Sequence, residues 1–274
     1  MKSILLAGLV LVALVQPASA QEPVSAAGGD TTDDDDDWDL IRDPSRDLTA
    51  AAAIFENGVA IAARCMEGGF DVIMTGLPPA DGQTRLLQVG IDDEPLHDES
   101  WMVTVEPTVA ISDFPTPFAR RLRQGGNLNV VVAGTGDAPN RRYILNLPAS
   151  PSAIETVLTE CGKPLVDPRA DRPVWVSPDG SLIGLRWERR PAPTYPSEAR
   201  NRNVAAGRVV LTCVVQAEGR VGDCEVESEQ PRGYGFGEAT LDGVRRARVA
   251  TDMPDQPEAG LGRMISFRVN YLLR

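Results

Sequence analysis

Residues 195–228 read YPSEARNRNVAAGRVVLTCVVQAEGRVGDCEVES, and this stretch decides the fold of the C-terminal region. A run rich in β-branched residues, 208–216, and a second strand candidate, 221–228, flank Glu218-Gly219. Glycine takes the positive φ that a two-residue hairpin turn requires, so the pattern predicts an antiparallel hairpin. With residues 218 and 219 as the loop, opposite residues have numbers that sum to 437, and Cys213 faces Cys224. Opposed Cα atoms lie about 4.5–5.5 Å apart, so we expect a disulfide between them.

The same register assigns the hairpin side chains to two faces of the sheet, because successive residues of a strand point to opposite sides. The face predicted to meet the core carries Leu211, Cys213, Val215, Cys224 and Val226. The other face carries Thr212, Asp223, Glu225 and Glu227, with Val210 as an apolar exception.

A short helix is predicted before the hairpin, at 196–202, and a longer one after it, at 236–248. The longer helix has its apolar residues three and four positions apart, which is typical of a helix with one buried face. Residues 263–272 then alternate between apolar and polar, the pattern of a half-buried strand. The predicted order is helix, hairpin, helix and strand, with a three-stranded sheet.

This order, with four short motifs, resembles the C-terminal domain of the TonB family. The motifs are Tyr195-Pro196 with Ala199, Gly207-Arg208-Val209, Gly219-Arg220-Val221 and Ile265-Ser266-Phe267. The resemblance covers residues 190–274, under a third of the chain. Each motif is short, and their order and spacing carry the match.

The resemblance implies a partner-binding strand. Family members bind an extended segment of an outer-membrane receptor, the TonB box, by adding it as a strand to the sheet edge. By analogy the binding edge is the last strand, which comprises Arg263, Met264, Ile265, Ser266, Phe267, Arg268, Val269, Asn270 and Tyr271. Arg263 and Arg268 would serve equally well to protect an open edge from aggregation, and an open edge also allows a strand-swapped homodimer.

The middle region, residues 48–163, is predicted to be a β-rich domain with one or two helices. Apolar runs at 59–65, 70–77, 85–91, 101–105, 127–133 and 142–147 are separated by turn signals. Ser150-Pro151 precedes a predicted helix at 152–160. Cys65 would end the first of these strands and Cys161 the helix, so a second disulfide is expected between them. The fold class is therefore α+β, in two domains.

The N-terminal residues indicate export. Residues 1–20 have a positive start at Lys2, an apolar run and a small-residue cleavage site, which together predict a secretory signal peptide. The alternative is an uncleaved membrane anchor. Residues 21–47 contain Asp33 to Asp37 in a row and predict an acidic, disordered leader. A Pro-rich connector is expected at 164–189. We predict a periplasmic protein with no membrane span after signal cleavage.

Composition and motifs argue against several kinds of chemistry. The net charge of −12 disfavours nucleic acid and anionic lipid as partners. The single histidine, His97, lies in an acidic stretch, 92–99, that we expect to be a solvated loop, although it could bind a metal loosely. One histidine and no marked nucleophile predict no metal site, no cofactor and no enzyme.

The sequence thus predicts an exported TonB-like adaptor that binds an outer-membrane receptor or another periplasmic protein by strand addition, in TonB-linked transport. An envelope-structural protein that binds peptidoglycan is the alternative. An exported enzyme with a TonB-like targeting module is a further one.

Overall fold

The computed structural model describes residues 37–136, 138–172, 174–175, 182, 184–251 and 260–273. The described residues belong to one compact unit, residues 34–274. The predicted signal peptide and leader residues 21–36 lie outside the described residues. Among the described residues no helix is long and apolar enough to cross a membrane.

The middle region forms a large antiparallel sheet. Its strands are β1 (Asp39–Asp43), β2 (Leu48–Ile54), β3 (Ala60–Met66), β4 (Gly69–Thr75), β5 (Thr84–Ile91), β6 (His97–Val103), β7 (Ala110–Ser112), β8 (Gly126–Val132) and β9 (Arg141–Leu147). Their order across the sheet is β1-β2-β3-β4-β7-β6-β5-β8-β9, and every neighbouring pair is antiparallel. The β-rich middle domain predicted from the sequence is therefore present.

Two helices, α1 (Pro115–Leu122) and α2 (Ser152–Glu160), pack against this sheet and against each other. The fully buried Trp101 of β6 meets Phe118 of α1 edge to face, with ring centroids 5.2 Å apart. A disulfide joins Cys65 at the end of β3 to Cys161 just after α2, as expected, with the two Cα atoms 5.4 Å apart. This bridge fixes α2 to the sheet.

The C-terminal region contains β10 (Val174–Trp175), β11 (Leu185–Arg189), α3 (Ser197–Asn201), β12 (Ala206–Val215), β13 (Val221–Gln230), α4 (Phe236–Val244), β14 (Arg248–Thr251) and β15 (Met264–Leu272). The predicted three strands form the sheet β15-β12-β13, and the two-residue β10 adds beside β15. Strands β11 and β14 pair separately. The fold class is α+β, as predicted.

The hairpin of β12 and β13 corrects the predicted register. Val215 pairs with Val221, so the loop has five residues, because a tight turn at Ala217–Gly219 replaces the two-residue turn. Irregularities then shift the pairing, and Thr212 faces Glu225 as the sum of 437 requires. The Cys213–Cys224 disulfide forms all the same, with Cα atoms 4.1 Å apart. Its position on the buried face agrees with the prediction.

Three boundaries differ from those expected. Strand β1 lies within 21–47, so the expected leader includes an ordered strand, which pairs with β2. The expected connector, 164–189, includes β10 and β11, which pair with strands of the C-terminal region. The predicted helix at 236–248 ends at Val244, because the chain turns there and enters β14.

Candidate partner-binding site

The last strand, β15, is held firmly on one side by β12. Nine consecutive residue pairs join them, from Ala206 with Leu272 to Val214 with Met264. The side chains of Ile265, Phe267 and Tyr271 are buried under the C-terminal core. These contacts position the strand without using its other backbone edge.

An aromatic cluster fixes the far end of β15. The ring of Tyr271 lies 4.8 Å from that of Phe236 and 5.9 Å from that of Tyr195, measured between centroids. The Tyr271 hydroxyl also lies 2.6 Å from the Thr240 hydroxyl of α4. The Tyr195-Pro196 motif therefore contributes to the fold by packing against β15 and α4.

Within the described residues, the outer backbone edge of β15 is paired at its start. Val174 and Trp175 of β10 pair in parallel with Met264 and Ile265. Within the ranges that the structure describes, no other strand pairs with this edge from Ser266 to Leu272. Backbone N–H and C=O groups of an unpaired edge are ready to pair with an added strand.

The second face of β15 is covered by the middle region. Arg268 donates from Nη2 to the Asp113 Oδ2 and to the Ser100 Oγ, both at 2.8 Å. Arg208 of β12 donates to the same Asp113 oxygen. Asp113 is 2% exposed and Ser266 is fully buried. Arg268 therefore binds the middle region, whereas the sequence suggested partner binding or protection of an open edge.

A second ionic cluster fixes the connector across the same sheet face. Arg169, 6% exposed, donates to Asp167 at 3.1 Å and to Glu225 at 3.0 Å. It also reaches the backbone oxygen of Thr212 at 3.4 Å. Lys163 donates to Glu225 at 3.0 Å. The connector and the middle region therefore cover the polar face of the sheet, the one opposite to the face predicted to meet the core.

Glu227 lies inside this cluster and is 4% exposed. Burial raises its pKa to about 7, and nearby Glu225 adds to the rise. A hydrogen bond from the Thr212 hydroxyl and the Arg169 guanidinium, 3.6 Å away, act in the opposite direction. The carboxyl group of Glu227 therefore changes charge near neutral pH.

A third cluster joins the β3–β4 hairpin to the turn after β13. Arg232 donates to the Asp71 Oδ2 at 3.0 Å and also to the Phe70 backbone oxygen. Arg64 donates to Asp71 from the neighbouring strand at 2.7 Å. Asp71 is 2% exposed, so these contacts are shielded from solvent. They occupy the region beside β13, the opposite edge strand of the C-terminal sheet.

Residues 92–96 form the exposed loop expected, whereas residues 97–99 belong to β6. His97 begins β6, and Arg121 of α1 donates to Glu99 at 2.8 Å and to Glu94 at 2.7 Å. A hydrogen bond to Glu99 raises the pKa of His97. Among the described residues no group of three or more His, Cys, Asp or Glu side chains is arranged to hold a metal ion.

The His97 stretch lines one end of a groove of about 1030 Å³. The groove runs between α1, the connector and the C-terminal sheet. Its apolar lining includes Phe114, Pro117, Leu165 and Met264, the first residue of β15. A separate groove of about 730 Å³ lies between α4 and the segment containing Tyr195, with Arg200, Arg245 and Arg246 on its walls.

The comparisons with known proteins address the C-terminal region. Residues 191–271 match the family of the Gram-negative bacterial TonB protein C-terminal. This region is a TonB-type C-terminal domain. The match spans less than a third of the chain, so it describes this domain and not the middle region. Proteins of this family belong to the bacterial envelope and contact outer-membrane proteins, and the two disulfides indicate an extracytoplasmic compartment.

One solved structure also matches part of this chain. It is the solution NMR structure of the Pseudomonas aeruginosa TonB CTD, 18% identical, and the alignment covers 33% of this chain and 86% of that one. Its TM-score is 0.25, which carries no structural argument. No curated protein matches the chain.

Proposed function

We propose that this protein is an exported periplasmic adaptor whose TonB-type domain binds an extended segment of an outer-membrane receptor, or of another envelope protein, along the edge of β15. This proposal rests on the backbone edge of β15 from Ser266 to Leu272, with which no strand of the described residues pairs. The family match supports an envelope protein that contacts outer-membrane proteins. The function is binding, in TonB-linked transport, without catalysis by the TonB-type domain.

The side chains of β15 favour recognition through the backbone. Ile265 and Phe267 are in the core, while on the opposite face Ser266 is buried and Arg268 is hydrogen-bonded to Asp113. A partner strand therefore gains affinity from main-chain hydrogen bonds with β15. The alternating side chains of the partner strand supply selectivity through their contacts with the residues around the edge.

The other edge strand, β13, is less suited to strand addition. Its pairing with β12 has two irregularities, which distort an edge and discourage further pairing. Lys163 lies against it through Glu225, and Arg232 joins the turn after it to the middle region. The pairing of β15 with β12, in contrast, is regular over all nine residue pairs.

A pair of proline substitutions tests the proposal on the full-length mature chain. Consecutive N–H groups of a strand point in opposite directions, so one of Val269 and Asn270 directs its N–H to β12 and the other to the open edge. Of Val269→Pro and Asn270→Pro, we expect one variant to unfold more easily, because it loses a hydrogen bond to β12. The other should keep its stability and lose partner binding.

The probe is a panel of synthetic peptides that copy the N-terminal segments of outer-membrane receptors, titrated by isothermal calorimetry. Wild-type binding that is lost in the stable proline variant supports strand addition at β15. A stable variant that binds as well as wild type contradicts it. No binding to any peptide, together with retention on isolated cell-wall material, favours the envelope-structural alternative.

A further inference from the structure

The connector occupies part of the edge that the partner would use. Strand β10 pairs in parallel with Met264 and Ile265, the first two of the nine residues of β15. We infer that β10 is a built-in competitor for the partner strand, which must displace β10 to pair with the whole of β15. The identity of the partner rests on the proposed function, whereas the covering of the edge does not.

The connector is held close to the edge just before β10 begins. Arg169 is buried in its ionic cluster, and Arg120 of α1 donates to Asp167 at 3.2 Å and to the Pro164 oxygen at 3.0 Å. Only a few residues separate Arg169 from Val174, and each spans at most about 3.6 Å. The tether therefore gives β10 a high effective concentration at the start of β15.

In the described part of the connector, two residue pairs join β10 to β15, whereas nine join β12 to β15. Two pairs make few hydrogen bonds, so they open more easily than the pairing with β12. A partner pairs first with the residues after Phe267, which include the exposed Asn270 and Leu272, and then extends towards Met264 and displaces β10.

This arrangement lowers the affinity for partner segments that cover the whole of β15 and leaves the affinity for shorter segments unchanged. The apparent dissociation constant is the intrinsic one divided by the fraction of molecules in which the edge is free. A segment that pairs only with Ser266–Leu272 does not compete with β10. A segment that also covers Met264 and Ile265 must overcome that competition, and its extra contacts offset the cost.

The test removes the pairing of β10 and leaves the rest of the protein unchanged. Val174→Pro with Trp175→Pro eliminates both backbone donors of β10. The matched control is Val174→Thr with Trp175→Tyr, which keeps both donors and two residues that favour strands. Hydrogen–deuterium exchange on the full-length mature chain then measures the protection of the β15 amides without any ligand.

We expect faster exchange at the start of β15 in the proline variant and wild-type exchange in the control. Receptor-derived peptides long enough to span β15 should bind the proline variant about threefold or more tightly than wild type. Equal exchange at β15 in all three proteins contradicts the inference. Equal peptide affinity in the three also contradicts it.

The two claims fail in different ways. One outcome is that no receptor peptide binds any of the three proteins, while exchange at the start of β15 rises in the proline variant alone. This result would support the covering of the edge by β10 and contradict receptor binding. If peptides bind along β15 equally well in all three proteins, the result would support receptor binding and contradict competition by β10.

Discussion

Arg268 of β15 donates a hydrogen bond to Asp113 of the middle region at 2.8 Å, with the carboxylate 2% exposed. The same carboxylate accepts a bond from Arg208 of β12. One buried charge therefore joins the middle region to two strands of the TonB-type sheet. These bonds attach the proposed binding edge to the middle region. While they persist, the edge does not move independently of that region.

Asp113→Ala should destabilise the protein strongly. Removing the carboxylate leaves two arginines without their counter-charge in a shielded site, and such losses cost about 3–5 kcal/mol. Asp242→Ala is the matched control, because Asp242 pairs with Arg245 on the exposed surface and should change the free energy of unfolding by less than about 1 kcal/mol. Urea unfolding followed by circular dichroism compares them. Similar losses in both variants would show that the Asp113 cluster does not stabilise the interface.

Glu227 should make stability depend on pH. Its pKa is raised from 4.5 to about 7, so the folded state binds a proton more tightly than the unfolded state. The free energy of unfolding contributed by this group is therefore fully present below pH 4.5 and is lost as pH rises towards 7. A pKa difference of this size corresponds to roughly 3 kcal/mol in the free energy of unfolding.

Glu227→Gln should abolish that part of the pH dependence, because the amide stays neutral and still accepts a bond from Thr212. We expect the variant to be more stable than wild type at pH 8 and similar to it at pH 4.5. Urea unfolding over this pH range measures the difference. The exposed Glu218→Gln serves as the control. Parallel curves for wild type and Glu227→Gln would show that the group does not titrate in this range.

The two disulfides should contribute unequally. They span 96 residues for Cys65–Cys161 and 11 for Cys213–Cys224. In the chain-entropy model these loops correspond to about 4.7 and about 2.8 kcal/mol. Replacing each pair by alanine and measuring unfolding in urea tests the ranking. A larger loss from removing Cys213 and Cys224 would show that local packing outweighs loop closure.

Gly207→Ala should destabilise the aromatic cluster. A Cβ at this position would lie 2.6 Å from ring atoms of Phe236, which is fully buried and has little room to move. Overpacking of this kind costs about 1–3 kcal/mol. Gly82→Ala is the control, because its Cβ would come no closer than 3.4 Å to the nearest atom, and it should change stability by about 0.5 kcal/mol or less. Thermal unfolding distinguishes the two, and equal melting temperatures would contradict the packing argument.

The local features of the fold were predictable from sequence. Helix α2 occupies the predicted residues 152–160, and both disulfides join the expected pairs. The alternation in β15 identified the residues that face the C-terminal core. These features depend on short-range periodicity, turn chemistry and cysteine spacing. The Ala-rich β2 was missed, since alanine has little preference for strands, and α1 was hidden by its prolines at the start.

The contacts that cover the polar face of the C-terminal sheet could not be predicted from the sequence. Thr212 and Glu227 have the pattern of a solvated face, yet they are 3% and 4% exposed, because a different region packs over them. Asp113 has no sequence signal that distinguishes it from a surface carboxylate. The two residues of β10 are too few to show a period. Such contacts depend on residues far apart in the chain, which local patterns do not encode.

The most direct test of the central claim maps the partner onto the sheet. Hydrogen–deuterium exchange of the full-length mature chain, with and without a binding receptor peptide, should show new protection at amides between Ser266 and Leu272. Amides of β13 should be unchanged. Protection that appears along β13, or elsewhere while β15 exchanges as before, would contradict binding at the β15 edge.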